Sequence, residues 1–331
     1  MRTILLAALA FTASLGVARA ASGPPALAFP LACQIGRTCE IQHYVDRDPG
    51  PGVRDYKCGR RTYQAHNGVD VRLLDMAAER AGVAVLAAAP GRVARLRDGV
   101  RDISIRTPGA PPVAGQQCGN GVVIDHGGGW ETQYCHVARG SVRVKVGDSV
   151  VAGTPLAKVG LSGNTEFAHM HFSVRHAGVI VDPFAPDVSK PAACAAQTTL
   201  WTPAALRQMP YKAGAILNAG FAAGPVTMEA VEAGGIARPT AASPWVVAYA
   251  RVIGLRAGDQ IEIALSGPDG ASLAQATTPP LDHDKAQYVN LVGKKRPFTG
   301  WPAGAYTAWI RVHRAGAVAF ERRIQIALKA S

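Results

Sequence analysis

Aromatic residues are scarce in this chain of 331 residues: they make up only 6%, against 36 glycines and 23 prolines. That balance argues against a helical bundle and for turn-rich β architecture. After the first twenty residues there is no long apolar run, which leaves no transmembrane-helix signal in the remainder. None of the six cysteines sits in a CxxC pair, which argues against a cysteine zinc knuckle. The sequence also lacks an internal repeat, a low-complexity tract and any nucleic-acid motif.

The first twenty residues do carry an apolar run. Arg2 is followed by Ile4 to Val17, and Ala18-Arg19-Ala20 places small residues where a signal peptidase reads. Residues 1–20 are therefore expected to be a cleaved secretory signal, the run being short for a membrane span. An even number of cysteines (Cys33, Cys39, Cys58, Cys118, Cys135 and Cys194) suits an exported, disulfide-bonded chain, with Cys33 and Cys39 a plausible local pair. The formal net charge is +12, and loss of Arg2 and Arg19 with the signal leaves about +10. A periplasmic or secreted protein of this charge is drawn to the anionic bacterial envelope. The basic residues are dispersed, so a nucleic-acid partner is not expected, nor is stable membrane insertion once the signal is cut. A monomer is expected.

Residues 21–60 are rich in Pro and Cys and read as an irregular arm. From 61 to 185 short strands alternate with Gly turns: Val83–Ala88, Gly121–Asp125, Glu131–His136, Val142–Val146, Leu156–Val159 and His169–Arg175. Leu73–Ala81 reads as a helical turn or two. Residues 186–204 form a Pro- and Thr-containing linker. Residues 205–331 are again strand-like, which predicts a smaller β-sandwich of immunoglobulin-like type. The expected fold class is thus all-β, mostly antiparallel, in two domains.

Two motifs carry chemistry. His66-Asn67-Gly68-Val69-Asp70 sets a His and an Asp four apart, and His169-Met170-His171-Phe172 sets two histidines two apart. On a strand His169 and His171 project from one face, about 6.6 Å apart along the backbone. By the same alternation Tyr134 and His136 share a face and Cys135 points away, which makes Cys135 a candidate for packing or a disulfide. Two imidazoles and one carboxylate are a normal zinc environment, and three protein ligands leave a position open, as in a catalytic site. Amide hydrolysis then needs a base for the water and a donor for the oxyanion, which further histidines can supply. Spacing alone does not decide which of His136, His169 and His171 bind metal. Each motif alone is weak evidence; their conjunction in one β-rich, exported segment is what counts.

The ordered set resembles the lysostaphin-like zinc endopeptidases of family M23. It comprises His66–Asp70, Val83–Ala89 with Pro90-Gly91, Cys118–Gly127, Tyr134–Val137, Lys145–Asp148, Leu161–Asn164, His169–Phe172 and Val181-Asp182-Pro183. The resemblance covers about residues 61–185 and implies a compact antiparallel β-structure with a groove across the sheet. It further implies one Zn2+ held by His66, Asp70 and His171, with His136 and His169 as catalytic histidines. The implied activity is hydrolysis of peptide bonds in peptidoglycan cross-links or stems. Cys135 and Val137 depart from residues frequent in the family, and neither position is a ligand.

Other residues are read more plainly. Tyr134 is an oxyanion contact or a strand tyrosine with equal weight, and His126 is structural or supports the site. The turn Ser162–Thr165 lines the groove or merely closes a hairpin. His43, His176, His283 and His313 show no partner pattern and are expected at the surface, and Asp282-His283-Asp284 is read as a solvated turn. Competing functions are a catalytically silent regulator of other wall hydrolases, a peptidase of Gly-rich protein, and a lipoyl-type carrier suggested by Val144–Leu156. The last leaves the histidines unexplained.

Overall fold

A computed structural model of the chain describes residues 23–187, 194 and 198–329. The expected signal at 1–20 lies outside these residues. In chain order the first half contains β1 (Cys39–His43), β2 (Val69–Leu73), α1 (Met76–Ala81), β3 (Ala84–Leu86), β4 (Gly91–Arg97), β5 (Asn120–Gly127) and β6 (Trp130–Val137). It continues with β7 (Ser149–Val150), β8 (Pro155–Lys158), β9 (His169–His176) and β10 (Val179–Val181). Among these strands, β1-β2-β9-β6-β5-β4-β7 lie side by side in one antiparallel sheet, with β10 paired to β9, and β3 pairs with β8.

Alternation explains which face is core. In β9 Met170, Phe172 and Val174 are buried in the hydrophobic cluster, and in β2 Val69, Val71 and Leu73 join them. The intervening polar residues therefore share the opposite face. The segment 21–60, read above as an irregular arm, supplies β1 at the edge of this sheet and buries Leu27, Phe29, Leu31 and Tyr44 in the same core. Tyr44, Tyr56, Phe184 and Tyr211 pack ring on ring beneath it. The segment Val142–Val146, expected as a strand, is not one; it runs as an irregular stretch tied to β8 by the Arg143 N–H donating to the Leu156 carbonyl. Leu73–Ala81 resolves into the end of β2 and the single short helix α1, capped by the Asp75 side chain.

The second half contains α2 (Pro203–Gln208), β11 (Ala215–Ala222), α3 (Met228–Ala233) and β12 (Trp245–Leu255). It ends with β13 (Gln260–Ser266), β14 (Ser272–Thr277), β15 (Lys285–Lys295), β16 (Gly304–Arg314) and β17 (Ala317–Leu328). Two antiparallel sheets, β11-β12-β15 and β14-β13-β16-β17, enclose a separate core that includes Val246, Val252, Ile261, Ile263, Tyr306 and Ile310. The chain is therefore mostly antiparallel β with a sandwich after the first sheet. β11 and β14 went unread in the sequence because Ala, Gly and Gln dominate them and blur the apolar period.

The halves are joined by buried charge. Arg72 of β2 and Arg251 of β12 are each fully buried, and both guanidinium groups pair with Glu232 of α3. Arg72 also donates to Gln287 at 2.9 Å, and Gln42 donates to the Ala286 carbonyl at 3.2 Å.

Candidate active site

Strand register assembles the site. Asp70 of β2 lies opposite His171 of β9, Arg72 lies opposite His169, and Cys135 of β6 lies opposite His171 from the other side. Directly opposed residues of an antiparallel pair point to the same face. His66 enters from the loop before β2. The three atoms His66 Nε2, Asp70 Oδ1 and His171 Nδ1 converge: His171 to Asp70 is 2.8 Å, His66 to Asp70 is 3.2 Å, and His66 to His171 is 3.2 Å. His66, Asp70 and His171 are a group able to hold one metal ion, each offering a single donor atom.

The other nitrogen of His66 and of His171 is tied down. His66 Nδ1–H donates to the Tyr44 carbonyl at 2.7 Å. His171 Nε2 lies 3.0 Å from both Asn67 Oδ1 and Ser173 Oγ. Such outer bonds fix ring orientation and tautomer. Two nitrogens and one carboxylate oxygen, turned inward with their outer atoms satisfied, fit a divalent zinc ion. Burial pushes the Asp70 carboxyl up, but the opposing His66 and His169 charges and the imidazole hydrogen bonds outweigh it and hold it well below the usual carboxylate range. The ionised form is the one that ligates.

His169 and His136 complete the cluster. Their ring centroids are 4.6 Å apart, and His169 Nε2 lies 3.5 Å from Asp70 Oδ1. His169 Nδ1–H donates to the Phe167 carbonyl at 3.0 Å, with Thr165 Oγ1 also at 3.0 Å. His136 Nδ1–H donates to the Ser162 carbonyl at 2.8 Å. Both rings line the cleft with Nδ1 already bonded. Burial, reinforced by His169 and His171, holds the His136 pKa well below the ordinary imidazole value, so the ring is neutral at physiological pH. The turn Ser162–Thr165 is thus the support of both histidines, and Ser162 is itself buried.

The alternation argument fails at His136. Its φ is +62°, and β5–β6 pairing passes from Gly121↔Cys135 to Asn120↔Val137, leaving His136 as the extra residue of a bulge. The bulge turns His136 to the face of Cys135 and His171. Tyr134 does not share that face: it is fully buried, packs on Phe172, and its hydroxyl accepts from the Ala88 N–H at 2.8 Å. Tyr134 is a core residue rather than an oxyanion donor. Cys135, on the site face, is bonded to Cys118, and the other pairs are Cys33–Cys39 and Cys58–Cys194.

His43 is not a surface residue. Its Nδ1–H donates to Asp70 Oδ2 at 3.1 Å, holding the outer oxygen of that carboxylate. No sequence signal marks it, because it arrives on a different strand. His176 stacks on Trp130, His313 pairs with Glu262 at 2.8 Å, and exposed His283 pairs with Asp282 in its turn. His126 is structural, bonded to the Pro90 carbonyl and to Thr132.

A cleft of about 590 Å³ opens over Asp70, His136, His169 and His171, with residues of the second half on one wall. A second hollow of about 350 Å³ continues past His66 and His171 toward Gln133 and Arg175. Tyr63 lines both, its ring 4.4 Å from that of His66. An extended chain laid along the two hollows crosses the histidine cluster.

Residues 64–183 match the family model described as Peptidase family M23. The cell division protein DipM of Caulobacter vibrioides (strain NA1000 / CB15N) is 33% identical over 97 residues, 25% of this chain, and the chain spans only 16% of that relative's length. Matches among solved structures include a zinc containing peptidase from Vibrio cholerae, at 22% identity over 48% of this chain and 39% of that one, TM-score 0.32. Another is the catalytic domain of lysostaphin from Staphylococcus simulans, at 20% identity over 44% of this chain and 89% of that one, TM-score 0.29. The chain carries a peptidase family M23 domain, over residues 64–183.

Proposed function

We propose that the chain is a periplasmic or secreted zinc endopeptidase that hydrolyses peptide bonds in peptidoglycan cross-links or stems. The observation that carries this reading is the convergence of His66, Asp70 and His171 on one point, with two further imidazoles beside it. Zinc, when bound there, supplies Lewis-acid polarisation of a carbonyl and lowers the pKa of water to near neutrality. His136 and His169 each have Nδ1 held by a backbone carbonyl, which leaves Nε2 to meet the attacking water, and the neutral His136 ring can take its proton. The imidazolium so formed donates to the tetrahedral oxygen or the departing amine. The cleft orients an extended peptide across these groups. Three disulfides support an extracytoplasmic setting.

The test is incubation of the zinc-loaded full chain with purified sacculi, followed by mass spectrometry of the soluble fragments. New amino termini within stem or cross-bridge peptides are expected. Intact sacculi, together with stimulation of an added wall amidase, would instead identify a regulator. Intact sacculi with digestion of an elastin-like protein would move the substrate to Gly-rich protein.

A further inference from the structure

The sandwich that follows the M23 domain contributes a wall to the substrate cleft: Gly254, Leu255, Arg256, Asp284, Lys285 and Ala286 line the same space as Asp70, His136, His169 and His171. That wall is fixed in place by the shared pairing of Arg72 and Arg251 with Glu232. The cleft is rich in cations, and nearly all are already engaged. Arg60 pairs with Asp284 at 2.8 Å and Arg106 with Glu166 at 2.6 Å. Lys285 pairs with Asp282 at 3.1 Å. Arg61 donates to the carbonyls of Ile41, Gln42 and Lys212.

Arg256 differs. It follows β12 in the turn to β13, and its backbone N–H is held by Asp259 Oδ2 at 2.8 Å. Arg256 is half-buried in the cleft wall, and its guanidinium has no carboxylate partner among the described residues. Two carboxylates close by in the fold, one in the same turn and one in the same cleft lining, are already taken. Both Asp259 oxygens accept from Arg314, at 2.9 and 2.7 Å, and Asp284 is shared between Arg60 and the Ala257 N–H. A planar fork of donors on a rigid turn, facing a cleft and lacking an anion, is built to receive a carboxylate.

We propose that Arg256 is a specificity residue that binds a free carboxylate of the peptide substrate, so that the sandwich domain selects anionic peptides for the M23 site. The proposal rests on the peptidase reading above for its substrate class. The catalytic bond is unaffected by the contact: Arg256 binds a group remote from the reacting carbonyl and acts on KM.

The experiment uses the full zinc-loaded chain and two probes. One is a cross-linked stem peptide whose glutamate and diaminopimelate carboxylates are free; the other is the same peptide with both amidated. Arg256→Gln and Arg256→Ala should raise KM for the acidic peptide by about ten- to a hundredfold, with kcat little changed, and leave the amidated peptide unaffected. Equal KM for the acidic peptide in wild type and both variants overturns the proposal. Titration of the same peptides into His136→Ala, with and without Arg256→Ala, reads the contact without turnover. Wild type that cuts neither peptide, with acid-selective binding lost on removal of Arg256, overturns the peptidase reading and leaves the carboxylate contact standing. Cleavage of both peptides with no role for Arg256 does the reverse.

Discussion

Each imidazole of the site has one nitrogen pinned by a hydrogen bond, and the position of the free nitrogen sorts the residues into roles. His66 Nε2 and His171 Nδ1 meet Asp70 Oδ1, whereas His136 and His169 stand beside the cluster with Nε2 exposed to the cleft. Replacing His136 or His169 by Ala should lower turnover of sacculi by about 10²–10⁴-fold, the usual worth of a positioned acid or base. A loss under tenfold for both in a steady-state assay would remove them from the chemistry. The pairs His66-x-x-x-Asp70 and His169-x-His171 were legible as local spacings, while the choice of His171 over His136 and His169 as a ligand rested on the family resemblance. His43 was not legible, since its contact with Asp70 depends on the pairing of β1 with β2 across 27 residues. The face expected to be shared by Tyr134 and His136 failed for the opposite reason: strand alternation does not extend across the bulge at His136.

Elements place these residues, and alternation was a sound guide where strands are regular. β2 and β9 present their polar members to one face and their apolar members to the core, as the sequence pattern predicts. It failed at the bulge of His136 and at Val142–Val146, where apolar alternation occurs without a partner strand. The disulfide Cys118–Cys135 ties the loop that precedes β5 to β6, next to that bulge. Gly68, between His66 and Asp70, permits the close approach of β9. A Cβ there would sit 2.5 Å from His171 Nε2 and 2.7 Å from the Phe172 carbonyl oxygen. Gly68→Ala is therefore expected to displace His171 and weaken zinc affinity by at least about tenfold, as outer-sphere changes do. Competition with a chelator of known affinity measures it, and an unchanged affinity would show that β2 and β9 can separate without cost to the site.

At the scale of the whole molecule, two apolar cores meet through buried charge, and this was not legible in the sequence. Arg72, Arg251 and Glu232 are 179 residues apart at the extremes and belong to different sheets and a helix. Both arginines are fully buried, so Glu232→Ala leaves two buried cations without their carboxylate. Breaking such a group by removing one partner costs about 3–5 kcal/mol. Denaturant unfolding of the variant should show that loss, and a change below about 1 kcal/mol would mean the guanidinium groups find water instead. Arg72 also stacks over the Phe167 ring, whose own edge meets His169, so the joint between the halves is continuous with the floor of the site. The proposed chemistry turns on one cation held by three side chains and worked on by two. Native mass spectrometry of the full chain after zinc loading tests this most directly. One zinc per chain is predicted for wild type, His136→Ala and His169→Ala, and none for His66→Ala, Asp70→Ala and His171→Ala; zinc-free wild type, or zinc retained by all three ligand variants, would contradict it.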